Sequence, residues 1–216
     1  MTESLFDLGM GDYVVGVTDY CIFPTEIIHL PKVGGTKNVR IDQIVHLSPE
    51  LIIANQEENS RAIVEGLANQ FNVWLTFPKT VRQMLDDLWQ LVYLFRRERA
   101  FVSLRTLETA VEYAENRVFE LQPTRVFVPI WQDVTPSGVR WLMTFNQDTY
   151  CHDLIRLLGG MNVFGERQRK YPLAADLGDA EEETTVEDRD TRYPRVTAEE
   201  IIQAKPELIL IPDEPY

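Results

Sequence analysis

Two cysteines and three histidines are the only thiol and imidazole groups in this chain, and none of them stands at a spacing that makes a metal site or a nucleophile. Cys21 and Cys151 lie far apart, without a Cys-x-x-Cys or Cys/His pattern for zinc. Two thiols are also too few for a disulfide framework, so they define no compartment. The densest run of reactive types is Cys151-His152-Asp153. A catalytic thiol and imidazole must converge, whereas adjacent helix side chains diverge by about 100°. The run therefore reads as structural, and neither catalytic residues nor a metal site of the chain's own is expected. His29, His46 and His152 have the chemistry of axial ligands for iron or cobalt, but their positions read as helix surface rather than strand-end loop. The acidic run DLGDAEEETTVEDRD, residues 176 to 190, lacks the Asp-x-Asp-x-Asp-Gly order of a calcium loop. It reads as a mobile, solvated loop.

What is left is the chemistry of recognition. Tyr20 and Phe23 stand in GVTDYCIFP, Gly16 to Pro24, directly after a strand predicted at Tyr13 to Val17. Open α/β sheets keep their ligands at such strand ends. NQEEN, residues 55 to 59, offers the amides of Asn55 and Gln56 and the carboxylates of Glu57 and Glu58 at a second strand end. Trp131 and Trp141 flank a TPSG turn at 135 to 138. GGTKN, residues 34 to 38, is a turn but lacks the GxxxxGK[ST] spacing of a phosphate loop.

The elements that must position these residues alternate between helix and strand. Residues 2 to 8 form a short helix stopped by Gly9 and Gly11, and Asn38 caps a helix running to Leu47. Leu51 to Ala54 is a buried parallel strand, residues 61 to 69 a helix, and Asn72 to Thr76 a further strand. A Leu- and Trp-rich helix from Thr80 to Phe95 leads into the longest period in the chain. There Leu104, Leu107, Val111, Ala114, Val118 and Leu121 recur at spacings of three and four between Arg97 and Leu121. Such a helix would run for close to 40 Å. After Pro123 a second α/β pattern starts, with strands at Arg125 to Ile130 and Val139 to Phe145 and a helix capped by Asp148 and running to Leu158. The expected fold class is α/β: two three-layer lobes with mainly parallel sheets, joined by one long backbone helix. The lobes are residues 1–78 and 123–216, with the helical linker at 79–122.

The chain also repeats itself. RIDQIVHLSPELIIANQEEN from Arg40 overlays TAEEIIQAKPELILIPDEPY from Thr197 without a gap, matching Ile44, Pro49, Glu50, Leu51, Ile52 and Glu57 to Ile201, Pro206, Glu207, Leu208, Ile209 and Glu214. With the long helix between the copies, two similar lobes facing a shared cleft are expected.

Composition bounds the partners. The chain has 216 residues, 44% hydrophobic and 25% charged, enough for one large or two small cores. Acids outnumber bases 34 to 21, for a net charge of -13, which argues against a nucleic-acid partner. No run is long enough to span a bilayer, and MTESLFDLG has neither the basic nor the apolar region of a secretion signal. If Met1 is the true start, these residues alone read as cytoplasmic.

GVTDYC, LPKVGGTKN, LSPELIIANQEEN, PIW, GGMNVFG, RYPRVTAEEI and KPELILIPDEPY, in that order over nearly the whole chain, resemble the helical-backbone periplasmic binding proteins. These are the substrate-binding subunits of ABC importers for cobalamin, haem and iron siderophores. The likeness is to members described as cobalamin-binding or helical-backbone metal receptors. It implies a monomer that does no chemistry, carries no cofactor of its own, and holds a corrinoid or another metal chelate between two lobes outside the cytoplasm. The cleft aromatics fall on Tyr20 and Tyr193. Thr36 stands where a Trp contacts the corrin in relatives, and Asn55 where an aromatic is expected. The resemblance further implies docking on a permease through one carboxylate per lobe, from Glu57 or Glu58 in the first and Glu214 or Glu199 in the second. Relatives carry a strand before Thr2 and helix after Tyr216, so the chain reads as truncated at both ends. Two other readings stay open: a cytosolic metallocofactor-handling protein or enzyme subunit with related paired lobes, and a nonfunctional truncated remnant.

Overall fold

Most of the β-branched runs and periodic segments form the strands and helices that their patterns predict, in a computed structural model that describes residues 1–118, 120, 122–183 and 189–212. Backbone contacts divide the chain into two units. One comprises Met1–Pro78 with Gln83–Glu108, the other Lys79–Arg82 with Thr109–Tyr216.

In the first unit, α1 (Thr2–Asp7) is followed by Gly9 in the left-handed region, φ 72°. The predicted strand at 13 to 17 does not form. Gly11–Tyr13 is a turn of 3-10 helix, and the extended chain beyond it meets the sheet-like ladder only in a parallel bridge between Val17 and Lys32. Helix α2 (Ile41–Leu47) starts after Arg40 rather than being capped by Asn38, and no side chain caps it. β1 (Ile52–Asn55) pairs in parallel with β2 (Val73–Thr76), and α3 (Arg61–Ala68) makes the crossover between them. Helix α4 (Val81–Leu94) ends at Arg96, whose φ of 52° turns the chain, while the Arg97 amide closes back onto the Val92 carbonyl at 2.9 Å. That left-handed cap stops the helix in a Schellman-like way. The long helix α5 (Ala100–Val118) therefore begins three residues later than its periodicity suggests, and its 19 residues span about 28 Å. Leu121, expected at its end, lies outside the described residues. Leu8, Met10, Leu88, Leu91, Val92, Ala100 and Leu104 form the core of this unit, with Ile53 and Trp74 of the strands packed on it.

In the second unit, β3 (Thr124–Phe127) is central, with parallel partners β6 (Gly160–Asn162) and β8 (Leu208–Ile209). Successive β3 side chains point to opposite faces. Val126 accordingly joins a cluster with Val128, Phe145 and Ile155, and Phe127 one with Phe164 and Val196. The expected hairpin is present as β4 (Trp131–Val134) and β5 (Arg140–Met143), turning at Gly138 with φ 89°. It is antiparallel throughout and extends to β7 (Arg195–Thr197). The fold is thus mixed α/β with parallel ladders in both units. Helix α6 (Tyr150–Leu157) is capped by Thr149, whose hydroxyl accepts from the His152 amide at 3.4 Å. Asp148, the expected cap, instead donates its amide to Asn146 Oδ1.

The acidic segment is not simply a solvated loop. Residues 178–183 are exposed, but the first residue of the run, Asp176, ends α7 (Leu173–Asp176) and is fully buried. Its carboxylate accepts from the Lys170 and Arg195 amides at 2.9 Å each and from Arg195 Nε at 2.7 Å. Residues 184–188 of the run lie outside the described residues. Beyond it, α8 (Ala198–Ala204) opens with a complete capping box between Thr197 and Glu200.

Candidate functional site

The first unit gathers three loops. The Asp19 amide donates to the Gly34 carbonyl at 2.9 Å, and Arg40 ties the same two loops by donating to Asp19 Oδ1 at 3.0 Å and the Lys32 carbonyl at 2.9 Å. Tyr20 lies against the glycine turn. A Cβ on Gly35 would sit 3.1 Å from its ring and 2.3 Å from Asn38 Oδ1, so any larger residue would displace the Asn38 side chain and crowd the ring. Asn59 fastens the third loop. Its Oδ1 accepts from the Asn55 amide and its Nδ2 donates to the Thr36 carbonyl, both at 3.0 Å. Sequence reasoning missed Asn59 as a positioning residue, although an Asn closing a strand-end loop is a known turn former.

Within this cluster, Tyr20 is 64% exposed and Phe23 is 55% exposed, a large apolar area facing away from the core. Thr36 is half-buried and held through its carbonyl. The Asn55 amide is committed to the loop itself, because Oδ1 accepts from the Glu57 amide at 2.8 Å and Nδ2 donates to Thr76 Oγ1 at 3.4 Å. Gln56 is anchored by its backbone to the Thr76 carbonyl, and the residue is exposed. Glu57 and Glu58 are exposed beside it. Cys21, next to Tyr20, is half-buried with the hydroxyls of Thr2 and Thr18 at 3.4 and 3.3 Å from its sulfur. Burial pushes its pKa up, but the Thr18 and Thr2 hydroxyls and the Lys32 ammonium bring it net below the ordinary thiol value.

In the second unit, Trp131 and Trp141 occupy the hairpin, opposite Met143 and Asp133 respectively. Their environments differ: Trp131 is 63% exposed and Trp141 7%, with the Trp141 indole nitrogen buried and unpartnered among the described residues. The β5–β7 ladder continues past Met143, as the Thr144 amide donates to Pro194 and the Asn146 amide to Arg192. Tyr193 stands between those bonds, packs on the Val126 cluster, and has the Arg192 guanidinium 5.2 Å from its ring centre. Tyr193 and the two tryptophans therefore share one antiparallel sheet region. Glu199 is exposed in the first turn of α8, and Glu214 lies outside the described residues. Cys151 is exposed on α6 and His152 is half-buried beside it, its pKa lowered chiefly by that burial. His29 and His46 are exposed, one in a 3-10 turn and one on α2. Among the described residues no group of three His, Cys, Asp or Glu side chains is placed to hold a metal ion. What the loops can do is stack aromatic faces on an apolar surface and offer amides to its rim.

Comparison with known proteins bears on that reading. The vitamin B12-binding protein of Pectobacterium atrosepticum is 24% identical over 97% of this chain and 67% of its own length. That of Yersinia pestis is 24% identical over 97% of this chain and 65% of its own length, so the chain spans about two thirds of these relatives. The periplasmic vitamin B12 binding protein BtuF of Vibrio cholerae superposes with a TM-score of 0.73 at 21% identity, over 98% of this chain and 72% of that one. The periplasmic heme binding protein HutB of Vibrio cholerae gives 0.66 at 18% identity, over 97% of this chain and 72% of that one. These likenesses establish the shared fold. A profile of the periplasmic binding protein family matches residues 1–214, and the chain belongs to that family.

Proposed function

We propose that this chain is the ligand-capturing subunit of an ABC importer, taking up cobalamin or a related corrinoid in an extracytoplasmic compartment and delivering it to a permease. The observation that carries the reading is the family match over residues 1–214 together with relatives named for vitamin B12 binding. It favours a binding protein over a metallocofactor-handling enzyme subunit. The lobes are residues 1–78 and 123–216, and the helices of 79–122 are the backbone between them.

A corrin presents a broad apolar face with polar edges. Tyr20 and Phe23 from the first lobe and Trp131 and Tyr193 from the second supply the stacking surfaces, with Trp141 supporting the hairpin from which Trp131 projects. Asn55 shapes its loop, Thr36 lies beside it, and the exposed Gln56 hydrogen-bonds the ligand rim. Glu57 or Glu58 and Glu199 or Glu214 meet arginines of the permease. The protein works as a monomer. Haem is the second ligand class, favoured by structural neighbours named as heme-binding proteins.

Calorimetric titration with cyanocobalamin, haemin and a ferric catecholate tests the reading. Saturable cobalamin binding is expected, weakened at least about tenfold by Tyr20→Ala and by Tyr193→Ala, as truncation of buried aromatic contacts generally does. A cooperatively folded chain that binds neither cobalamin nor haemin would sink the proposal.

A further inference from the structure

The segment between residues 165 and 195 holds arginines for which ligand stacking gives no role. The guanidinium carbons of Arg169, Arg189 and Arg195 lie 4.6, 4.7 and 5.4 Å from the centre of a single ring, that of Tyr171. Carboxylates answer most of the positive charge nearby. Arg195 pairs with buried Asp176 at 2.7 Å, Arg167 lies between Asp176 at 3.7 Å and Glu200 at 3.5 Å, Arg189 pairs with Glu183 at 3.2 Å, and Arg192 with Asp190 at 2.7 Å.

Arg169 is the exception. Among the described residues it has no carboxylate partner, and its Nε is buried without a hydrogen bond. Its burial and the neighbouring Arg195 both disfavour its charge. A cation–π contact offsets only part of a cation's desolvation, and here three guanidinium groups share one ring. A guanidinium in this position presents an unused planar fork, which matches the two oxygens of a carboxylate or phosphate.

We infer that Arg169, on the Tyr171 ring, is the centre of an oxyanion site for a carboxylate or phosphate group. The Arg169 amide donates to the Thr191 carbonyl at 2.9 Å, so the site adjoins the 191–193 segment that carries Tyr193. The oxyanion is therefore either free in solution or an acidic group of the captured ligand, and the second source rests on the function proposed above.

Two arms separate the sources. In the first, thermal unfolding is followed as inorganic phosphate replaces chloride at constant ionic strength. The wild-type chain should rise in Tm and Arg169→Gln should not. Arg97→Gln is the control, because among the described residues Arg97 also has a buried, unpartnered Nε but shares the Tyr13 ring with no second guanidinium. It should respond like the wild type. In the second arm, haemin is compared with its dimethyl ester, and cyanocobalamin with cobinamide, which lacks the phosphodiester. Arg169→Gln should weaken binding of the acid-bearing member of the pair about tenfold and leave the other unchanged.

A phosphate response alone assigns the site to a free oxyanion, and ligand discrimination assigns it to the ligand's acid. If no corrinoid or haem binds, the proposed function fails and the phosphate arm alone decides this site. If Arg169→Gln does not unfold cooperatively, Arg169→Lys replaces it and should show a diminished response, having lost the fork. Identical behaviour of wild type and variant in both arms overturns the inference.

Discussion

The two copies of the helix-Pro-Glu-Leu-strand segment end alike and begin differently. Helices α2 and α8 have 7 residues each, and each stops at a residue in the left-handed region, Ser48 at φ 45° and Lys205 at φ 46°. Pro then follows in both, which cannot continue a helix. At the other end, α8 closes its own amides through Thr197 and Glu200, whereas Arg40 at the start of α2 reaches out to Asp19 and the Lys32 carbonyl. A helix stop is written in local backbone geometry and so recurs. A helix start can be satisfied by solvent, which frees its flanking side chain for another task. In the first copy that task is fastening the loop that carries Tyr20.

Breaking the support of the second copy should have the largest effect. Arg167 lies within 3.5 Å of the capping residue Glu200 and 3.7 Å of Asp176, and Asp176 in turn holds Arg195, whose side chain is only 7% exposed. Asp176→Ala leaves that guanidinium buried without its carboxylate and should cost about 3–5 kcal/mol in urea unfolding. A cost under about 1 kcal/mol would show that the network does not support this copy. Next in size is Thr197→Ala, which removes the cap and should cost about 1 kcal/mol, with no change in ligand binding. Smallest for stability is Arg40→Ala. Its ion pair with Asp19 has side chains about half exposed, 51% and 48%, so less than about 1 kcal/mol is expected. If Arg40 positions the ligand loop, cobalamin affinity should nevertheless fall in Arg40→Ala and stay level in Thr197→Ala. The opposite ranking in titration would reverse the distinction between the two helix starts.

These differences also explain what could be read from the sequence. The strands around Ile53 and Val126, the α4 pattern and the internal repeat were legible because each rests on a period or a stop signal within a few residues. The order of the acidic segment was not, because Asp176 gains its partners from Arg195, a residue 19 positions away with no periodic relation to it. The stretch at 13 to 17 carries β-forming residues, yet a single bridge at Val17 is all the ladder it makes. In the hairpin, alternation marks Trp131 and Trp141 as one kind of residue. Their exposures, 63% and 7%, depend on what the rest of the second unit lays over each, which no local pattern encodes. The loop aromatics stood out by type and place, while Asn59, which ties their loops together, had only a turn preference to mark it.

The pairing of β3 sets the order in which the two units can be completed as the chain is synthesised. β1 and β2 meet across a short crossover, and the bond from Asn72 to Glu50 that closes their start joins residues 22 apart. The corresponding bond at β3, from Arg125 to Glu207, joins residues 82 apart. Non-local pairing is slow because loop closure must precede the contacts that reward it. During translation β3 emerges with its β8 side open and keeps it open until the residues of β8 have emerged as well. In that interval its Val126-Phe127 edge is a strand awaiting a partner, and an unpaired edge of this kind is open to pairing with the wrong one.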